Sequence, residues 1–463
     1  MADTLPTLAA LPEPAARRWV IPFLETDPLF DVRWGLLLLP LWWALGIEQF
    51  IWPVIFGWAA LKLLYIQRLQ LRVTAPVRWF ALFLVAIIIS ALFIVEPERW
   101  LTYYRNFGAF LAGFLALVII TNRAREWADI ERLLGAALLV VLLAGLLGIL
   151  AATNLWRPDF LSLAGRLLPG SVLATSYGNV VAYRTLGQFG WFVGLGLYFR
   201  LNSFFLFSNH YSSVLVYAVP FLFYKLAGAR GLRRLLVGLG IVMLLINLVY
   251  TTGRVAALSL LGGAILFLLF YTLRRRALFV LSAAALALAL WLVVLSAFVE
   301  YGLVGGRGGY VSQAAGLVEE FVFARGTGSY TSRFGVYQAT VQGFLERPLF
   351  GWGTERDVEG LDLPAGSHSE YFAALYRQGL IGLLALLGLL WSVWRTTRPV
   401  WSWATAPPGM LLRYGRWFFI GAVVNSLLND PNVDSTTYVL LWVFMGVLVA
   451  TAQFIQHQKQ DGN

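Results

Sequence analysis

Apolar runs long enough to cross a lipid bilayer recur along almost the whole chain, and this constrains its fold more than any motif does. A helix crossing the hydrocarbon core needs about 20 apolar residues, within a range of about 17–25. Candidate spans lie near residues 34–48, 50–66, 77–95, 104–121, 133–152, 212–228, 235–250, 255–273, 277–297, 371–394, 415–428 and 437–455, several of them short. Hydrophobic residues make up 59% of the 463 residues and charged residues 13%, against roughly 45–50% and 25% in soluble domains. The expected class is therefore an all-α polytopic membrane protein with about 12 transmembrane helices. Polar stretches are too short to fold alone. Residues 33–463 read as one membrane domain behind a Pro-rich tail, residues 1–32. That tail lacks the short apolar core and small-residue cleavage site of a signal peptide, so insertion without cleavage is expected, with an interfacial stretch from Trp19 to Phe30.

The net charge of +11 does not point to nucleic acid, because the basic residues fall in short loops between apolar runs, where they report orientation. Loops carrying Arg68, Arg72 and Arg78, then Arg123, Arg125 and Arg132, then Arg230, Arg233 and Arg234, then Arg274, Arg275 and Arg276, and finally Arg395, Arg398, Arg413 and Arg416 share one side of the twelve-span layout. The positive-inside rule makes that side the cytoplasm and puts both termini there. Short loops opposite are acidic or neutral: Glu48; Glu96 and Glu98; Asn429, Asp430 and Asp434. Two longer outward segments, residues 153–211 and 298–370, hold nine arginines. Long loops translocate largely regardless of charge, so these arginines call for another explanation. The piece from Thr185 to Phe199 would spoil the sidedness if it crossed, and reads as interfacial or re-entrant. From Tyr330 to Leu345, Phe334, Tyr337, Val341, Phe344 and Leu345 fall at helical spacing with Gln338, Gln342 and Glu346 opposite, which predicts an amphipathic helix lying against the membrane domain.

Few residues are fit for chemistry. Cysteine is absent, which excludes disulfides, thiolate metal sites and a cysteine nucleophile. His368, one of three histidines, lies in "GSHSEYFAALYRQGLIG", where a polar loop gives way to a long apolar run. A solvated loop residue or interfacial anchor is the plain reading of it. The sharper one is a general base, since an imidazole among cations stays neutral near pH 7. Ser367 and Glu370 are placed to orient the ring, with Tyr371 beside them, and Ser367 equally reads as the cap of the following helix. Arg254, in "VYTTGRVAALSL", stands at the outer end of a span with no acidic neighbour in sequence. Snorkelling to the interface is one account of it, and an anionic ligand the other. Arg200 precedes a polar cluster, Ser208, Asn209 and His210. Arg333 is expected to begin the amphipathic helix, where a cation opposes the helix dipole, so it is assigned to an external anion or partner.

Glu355, Asp357, Glu359 and Asp362 share a loop with Gly360, as in a calcium loop, but the twelfth position is Gly366 and not the bidentate glutamate such a loop needs. No histidine pair has zinc-ligand spacing, and "GGRGGY" lacks the Lys-Ser/Thr ending of a phosphate loop. No metal and no cofactor are expected.

Read as a unit, "TSRFGVYQATVQGFLERPLFGWG" and "SHSEYFAALYRQGLIGLLALLGLL" resemble the O-antigen ligase and polymerase family. Its signature runs Ser-Arg, amphipathic helix, Pro-Leu-x-Gly-x-Gly, His-(Asn/Ser)-x-Tyr, then Gly-Leu-x-Gly entering a span. The likeness extends to "RLNSFFLFSNHYSS" and "TTGR". It implies transfer of a glycan from an undecaprenyl diphosphate carrier on the periplasmic face of a bacterial inner membrane, inverting and metal-independent, by a GT-C-type fold. Carried over by position, it implies His368 as base and Arg200, Arg254 and Arg333 on the diphosphate. Ser369 stands where Asn is usual, and His210 after Asn209 departs from a looser pattern, which bears on Asn209, His210 and their neighbours as supporting residues. The acceptor implied is a lipid A core sugar for a ligase, the next repeat unit for a polymerase, or a protein hydroxyl. A transporter or flippase for an anionic lipid or sugar is the reading from another class. It requires ionisable residues buried mid-span, and most spans here have none.

Overall fold

A computed structural model describes residues 27–66, 71–192, 196–272, 326–361, 363–398 and 406–461. Its helices, in chain order, are α1 (Phe30–Leu37), α2 (Leu39–Leu45), α3 (Ile51–Ile66), α4 (Ala75–Ala91), α5 (Arg99–Arg123) and α6 (Trp127–Ala152). A polar excursion follows, with strand β1 (Asp159–Leu161), three short helical pieces between residues 163 and 182, β2 (Tyr183–Thr185), β3 (Gly187–Phe192) and β4 (Gly196–Leu201). Then come α7 (Ser208–Gly228), α8 (Gly231–Tyr250), α9 (Arg254–Thr272), α10 (Gly326–Glu346), α11 (Glu370–Thr397), α12 (Pro407–Ser426) and α13 (Ser435–Asp461).

The bundle is organised around α13, whose run from Tyr438 to Ala450 is buried on every side. A helix apolar all round belongs in the interior, and α13 packs on α5, α6, α7, α11 and α12. The outer helices look different. On α3, Val54, Trp58, Leu61 and Tyr65 form an exposed stripe, and on α8 so do Leu232, Leu235, Leu239, Val242 and Ile246. Contiguous apolar stripes of this length mark surfaces that meet something other than water, and lipid tails suit them. Among the described residues six helices (α5, α6, α7, α8, α11 and α13) are long and apolar enough to cross a bilayer, and three more apolar helices are shorter. The chain is a multi-pass membrane protein.

Several expectations change. The span at 34–48 is not one helix: the chain breaks at Leu38, and α2 restarts with Pro40 in its first turn, where proline is tolerated because its missing N–H needs no partner. The predicted span at 277–297 and the outward residues 298–325 lie outside the described residues, so the described helices do not add up to twelve spans. Nor is the fold purely helical. Thr185–Phe199 enters an antiparallel hairpin in which Gly187 pairs with Leu201 and Phe192 with Gly196, and β1 pairs with β2. The aromatic residues of the hairpin favour a pleated surface, and six-residue strands are too short for a crossing strand of about 9–11.

Hydrogen bonds sort the loops to two ends. At one, Lys62 pairs with Asp31 at 2.7 Å, Arg123 donates to the Pro28 carbonyl at 3.0 Å, and Arg72 meets His457 at 2.8 Å. At the other, Gln49 donates to Asp434 at 3.0 Å and Arg184 pairs with Glu48 at 2.8 Å. His368, Arg377 and Glu355 lie at that second end.

Candidate functional site

The site begins with a break in α11. Gly379 has φ 69° and ψ −165°, a region open essentially to glycine alone, and it divides α11 into an initial segment and a long apolar one. Into the break fits the Pro348–Gly353 turn. Leu380 N–H donates to the Pro348 carbonyl at 2.8 Å, while Trp352 N–H and Gly353 N–H donate to the carbonyls of Tyr376 and Arg377 at 3.0 and 2.8 Å. A helix break frees carbonyls that need partners, and here the loop supplies them. The close approach excludes side chains: a Cβ on Gly379 would stand 2.3 Å from the Leu349 carbonyl. The two glycine motifs in the sequence are thus two halves of one joint.

The joint fixes the loop before α11. Gly366 N–H donates to Thr340 Oγ1 at 2.8 Å, and the Gly366 carbonyl accepts from Arg377 Nε at 2.9 Å. Two residues on, half-buried His368 has φ 62°, and its carbonyl accepts from the Tyr337 hydroxyl at 3.2 Å. Ser367 is not the helix cap: α11 starts at Glu370, so the cap falls to Ser369, whose Oγ accepts from Phe372 N–H at 3.4 Å, and Ser367 Oγ donates to the Pro364 carbonyl at 2.6 Å. Glu370 is buried and lines, with Tyr371, Ser426, Leu386 and Trp442, a narrow crevice of about 10 Å³ between α11, α12 and α13. Tyr371 donates to the Val423 carbonyl at 3.1 Å, pinning α11 to α12.

The polar start of α7 joins this loop through a chain of amides. Ser212 and Ser213 hydroxyls donate to the Asn209 carbonyl, both at 2.8 Å. Asn425 Nδ2 donates to Ser213 Oγ at 2.8 Å, Asn429 Nδ2 to Asn425 Oδ1 at 3.0 Å, and Glu370 N–H to the Asn429 carbonyl at 3.1 Å. His210 is buried, with Asp430, Asp434 and Arg105 in its electrostatic neighbourhood. The Thr251–Arg254 turn packs on the same helix start: a Cβ on Gly253 would lie 2.5 Å from Ser212 Cβ.

Arg254 is the first residue of α9 and is exposed. There the backbone N–H groups and the guanidinium both present positive charge, the arrangement that attracts an anion. Arg200 sits on β4 opposite Gln188, eight residues ahead of α7. Arg333 is placed differently from the expectation. Since α10 begins at Gly326, position 333 is two turns in, beyond reach of the terminal dipole, and one turn before Tyr337. The buried face of α10 is also not the one predicted. Val336, Thr340 and Gly343 pack inward and Tyr337 stacks on Phe372 at 4.9 Å, whereas Val341 and Leu345 are exposed. The fold thus brings the Thr251–Arg254 turn, the start of α7 and the His368 loop to one region, while β4, which carries Arg200, packs on α6, α7 and α8.

Backbone strain marks the same places. Four described non-glycine residues have positive φ: Asn154, Ser203, Thr252 and His368. Three of them fall within "RLNSFFLFSNHYSS", "TTGR" and "GSHS". Such strain persists only where surrounding structure over-determines it, and it clusters at functional sites.

A buried ion network went unread in the sequence. Arg377 Nη2 meets Asp430 at 2.6 Å and its Nε meets Glu355 at 3.2 Å; Arg105 meets Glu355 at 3.0 Å and Asn106 donates to it at 3.2 Å. Burial acts to raise the Glu355 carboxyl, but the Arg377 and Arg105 guanidiniums overcome it and hold it at about 2. Both Glu355 oxygens thereby face guanidinium or amide donors, which removes the first ligand from the calcium-loop reading of 355–362; Asp362 lies outside the described residues. The mid-span stretches 133–152, 235–249 and 439–455 contain no Asp, Glu, Lys, Arg or His, unlike the interior that a transporter of anions requires.

No curated protein matches the chain. Residues 239–387 match the family model described as O-antigen ligase, a stretch that contains Arg254, Arg333 and His368 and leaves Arg200, Asn209 and His210 outside. That segment, which holds the Thr251–Arg254 turn and the Gly379 joint, is similar to the O-antigen ligase family.

Proposed function

We propose that this protein moves a glycan from undecaprenyl diphosphate to an acceptor hydroxyl on the periplasmic side of the inner membrane, as an O-antigen ligase whose acceptor is a lipid A core sugar. The observation that carries the reading is the coincidence of three strained residues, Ser203, Thr252 and His368, with the three motif stretches, beside the amide chain that ties the start of α7 to the His368 loop from Ser213 to Glu370. Backbone strain of this kind clusters at functional sites.

In this reading the acceptor oxygen bonds to the anomeric carbon from the face opposite the carrier, and the carbon–oxygen bond to diphosphate breaks with inversion. The diphosphate leaves with the bonding pair, and the hydroxyl proton passes to His368. A positioned base contributes about 10² to 10⁴ in rate. Arg200, Arg254 and Arg333 neutralise the departing charge, since a planar guanidinium fork binds phosphate oxygens without a metal. Asn209, His210, Ser367, Glu370 and Tyr371 support the loop and helix starts. A polysaccharide polymerase and a protein O-oligosaccharyltransferase would use the same chemistry on other acceptors.

Reconstituted protein supplied with carrier-linked glycan and each acceptor class tests this. His368→Asn keeps a residue that tolerates a left-handed backbone and removes the base, so transfer should fall by about 10² or more. Arg254→Ala should weaken carrier binding. Normal transfer by the His368 variant, or unchanged carrier affinity in the Arg254 variant, would refute the respective role, and transfer to a repeat unit alone would make the protein a polymerase.

A further inference from the structure

The inward face of α10 does more than pack. Thr340 and Tyr337, one turn apart, both reach the loop that carries His368: Thr340 Oγ1 accepts from Gly366 N–H at 2.8 Å, and the Tyr337 hydroxyl donates to the His368 carbonyl at 3.2 Å. Between these anchors the chain passes through two left-handed residues, Gly366 at φ 77° and His368 at φ 62°. Glycine accepts such a conformation freely, whereas histidine adopts it at a cost. Something outside the loop must therefore hold His368, and the Tyr337 bond ends on the peptide group that its φ helps orient. The Tyr337 ring is itself fixed, stacked on Phe372 at 4.9 Å with 20° between planes. Gly343, a turn further along α10, lies against the Tyr376 ring, so the helix cannot slide away from α11 without losing that contact.

We infer that Tyr337 is a positioning residue for the transfer reaction, clamping the His368 peptide so that the imidazole is aimed, with Thr340 as the second jaw. This rests on the role of His368 proposed above. Tyr337 touches no reacting atom. Its hydroxyl acts through the His368 backbone, and a misplacement on the order of 1 Å of a catalytic group costs about 10² in rate.

The test uses full-length protein in nanodiscs with carrier-linked glycan and core acceptor, measuring kcat, KM for the carrier and thermal midpoint for Tyr337→Phe, Thr340→Val, Thr340→Ser and His368→Asn. Tyr337→Phe keeps the ring stack and removes only the hydroxyl. Its kcat should fall about tenfold, equivalent to about 1.4 kcal/mol, with carrier KM within about twofold of wild type. Thr340→Val should behave alike, while Thr340→Ser, which keeps a hydroxyl, should return to within about twofold. If Tyr337→Phe fails to fold, the Thr340 pair decides. Wild-type kcat in both Tyr337→Phe and Thr340→Val beside an inactive His368→Asn would overturn the clamp. So would a rise in carrier KM with kcat unchanged, which would make this face a binding surface. Full transfer by His368→Asn would instead overturn the assignment of the base, a separate failure.

Discussion

Replacing Gly379 by alanine tests the joint on which the site is built. At φ 69° and ψ −165° an alanine carries a strain of about 1–3 kcal/mol. Its Cβ would stand 2.3 Å from both the C and O of Leu349 and 2.6 Å from Phe350 N, backbone atoms that cannot rotate away, so the Pro348–Gly353 turn must retreat. Overpacking of this kind costs about 1–3 kcal/mol. Retreat also weakens the bonds from Leu380 to Pro348 and from Gly353 to Arg377, each contributing about 1 kcal/mol. The total, about 3–6 kcal/mol allowing for partial relaxation, is a large part of the about 5–15 kcal/mol that holds a folded protein together. Gly135→Ala is the control. It lies within α6 with open space around its Cβ position, and alanine there should be neutral or stabilising by up to about 1 kcal/mol. Thermal unfolding of both variants in detergent, followed by tryptophan fluorescence, gives the comparison. A Gly379→Ala protein melting with wild type and Gly135→Ala would show that the Pro348–Gly353 turn is not seated against the helix break, since a seated turn leaves no room for a methyl group.

Two further outcomes concern buried charge outside the spans. Burial pushes the Glu48 carboxyl up from about 4.5 to about 7 against the pull of Arg184. The folded protein therefore holds this proton more tightly than the unfolded chain does, so the contribution of Glu48 to stability is full below pH 4.5 and is lost as pH rises through 7, on the order of 3 kcal/mol. Glu48→Gln should flatten the pH dependence of unfolding across that window, and an unchanged slope would count against it. Glu355 has the opposite sign: held at about 2, it contributes stability above its unfolded value that is lost as pH falls toward 2. Glu355→Gln leaves Arg105 without its carboxylate and Arg377 with Asp430 alone, so it should destabilise the protein at neutral pH by about 3–5 kcal/mol, measured by denaturant or thermal unfolding; wild-type stability would contradict the network.

What could be read in advance depended on how local each signal is. The apolar run at 437–455 needed no partner to be identified, and α13 follows it closely. The His368 and Gly379 motifs were legible as strings, but their meaning is a contact between a turn and a helix break, which spacing does not encode. On α10 the pattern misled. Val341 and Leu345 look like a core face, yet they are exposed, while polar Thr340 and small Gly343 face inward because Gly366 supplies a hydrogen-bond partner and the Tyr376 ring needs room. Pro40 was a visible breaker inside the 34–48 run, and its signal won over hydropathy. The Arg105–Glu355–Arg377–Asp430 network includes a direct contact across 250 positions of the chain, so no window of sequence reveals it. Arg333 was assigned to a helix start that the structure moves back to Gly326, and the dipole argument now applies to Arg254.

The most direct measurement is an experimental structure of the protein with undecaprenyl diphosphate bound. Phosphate oxygens should lie within about 3 Å of guanidinium nitrogens of Arg254 and Arg200, with the His368 imidazole facing the carbon from which the diphosphate departs. Diphosphate density at the opposite end of the bundle, beside Lys62 and Arg123, or a His368 ring turned away from the bound carrier, would contradict this arrangement.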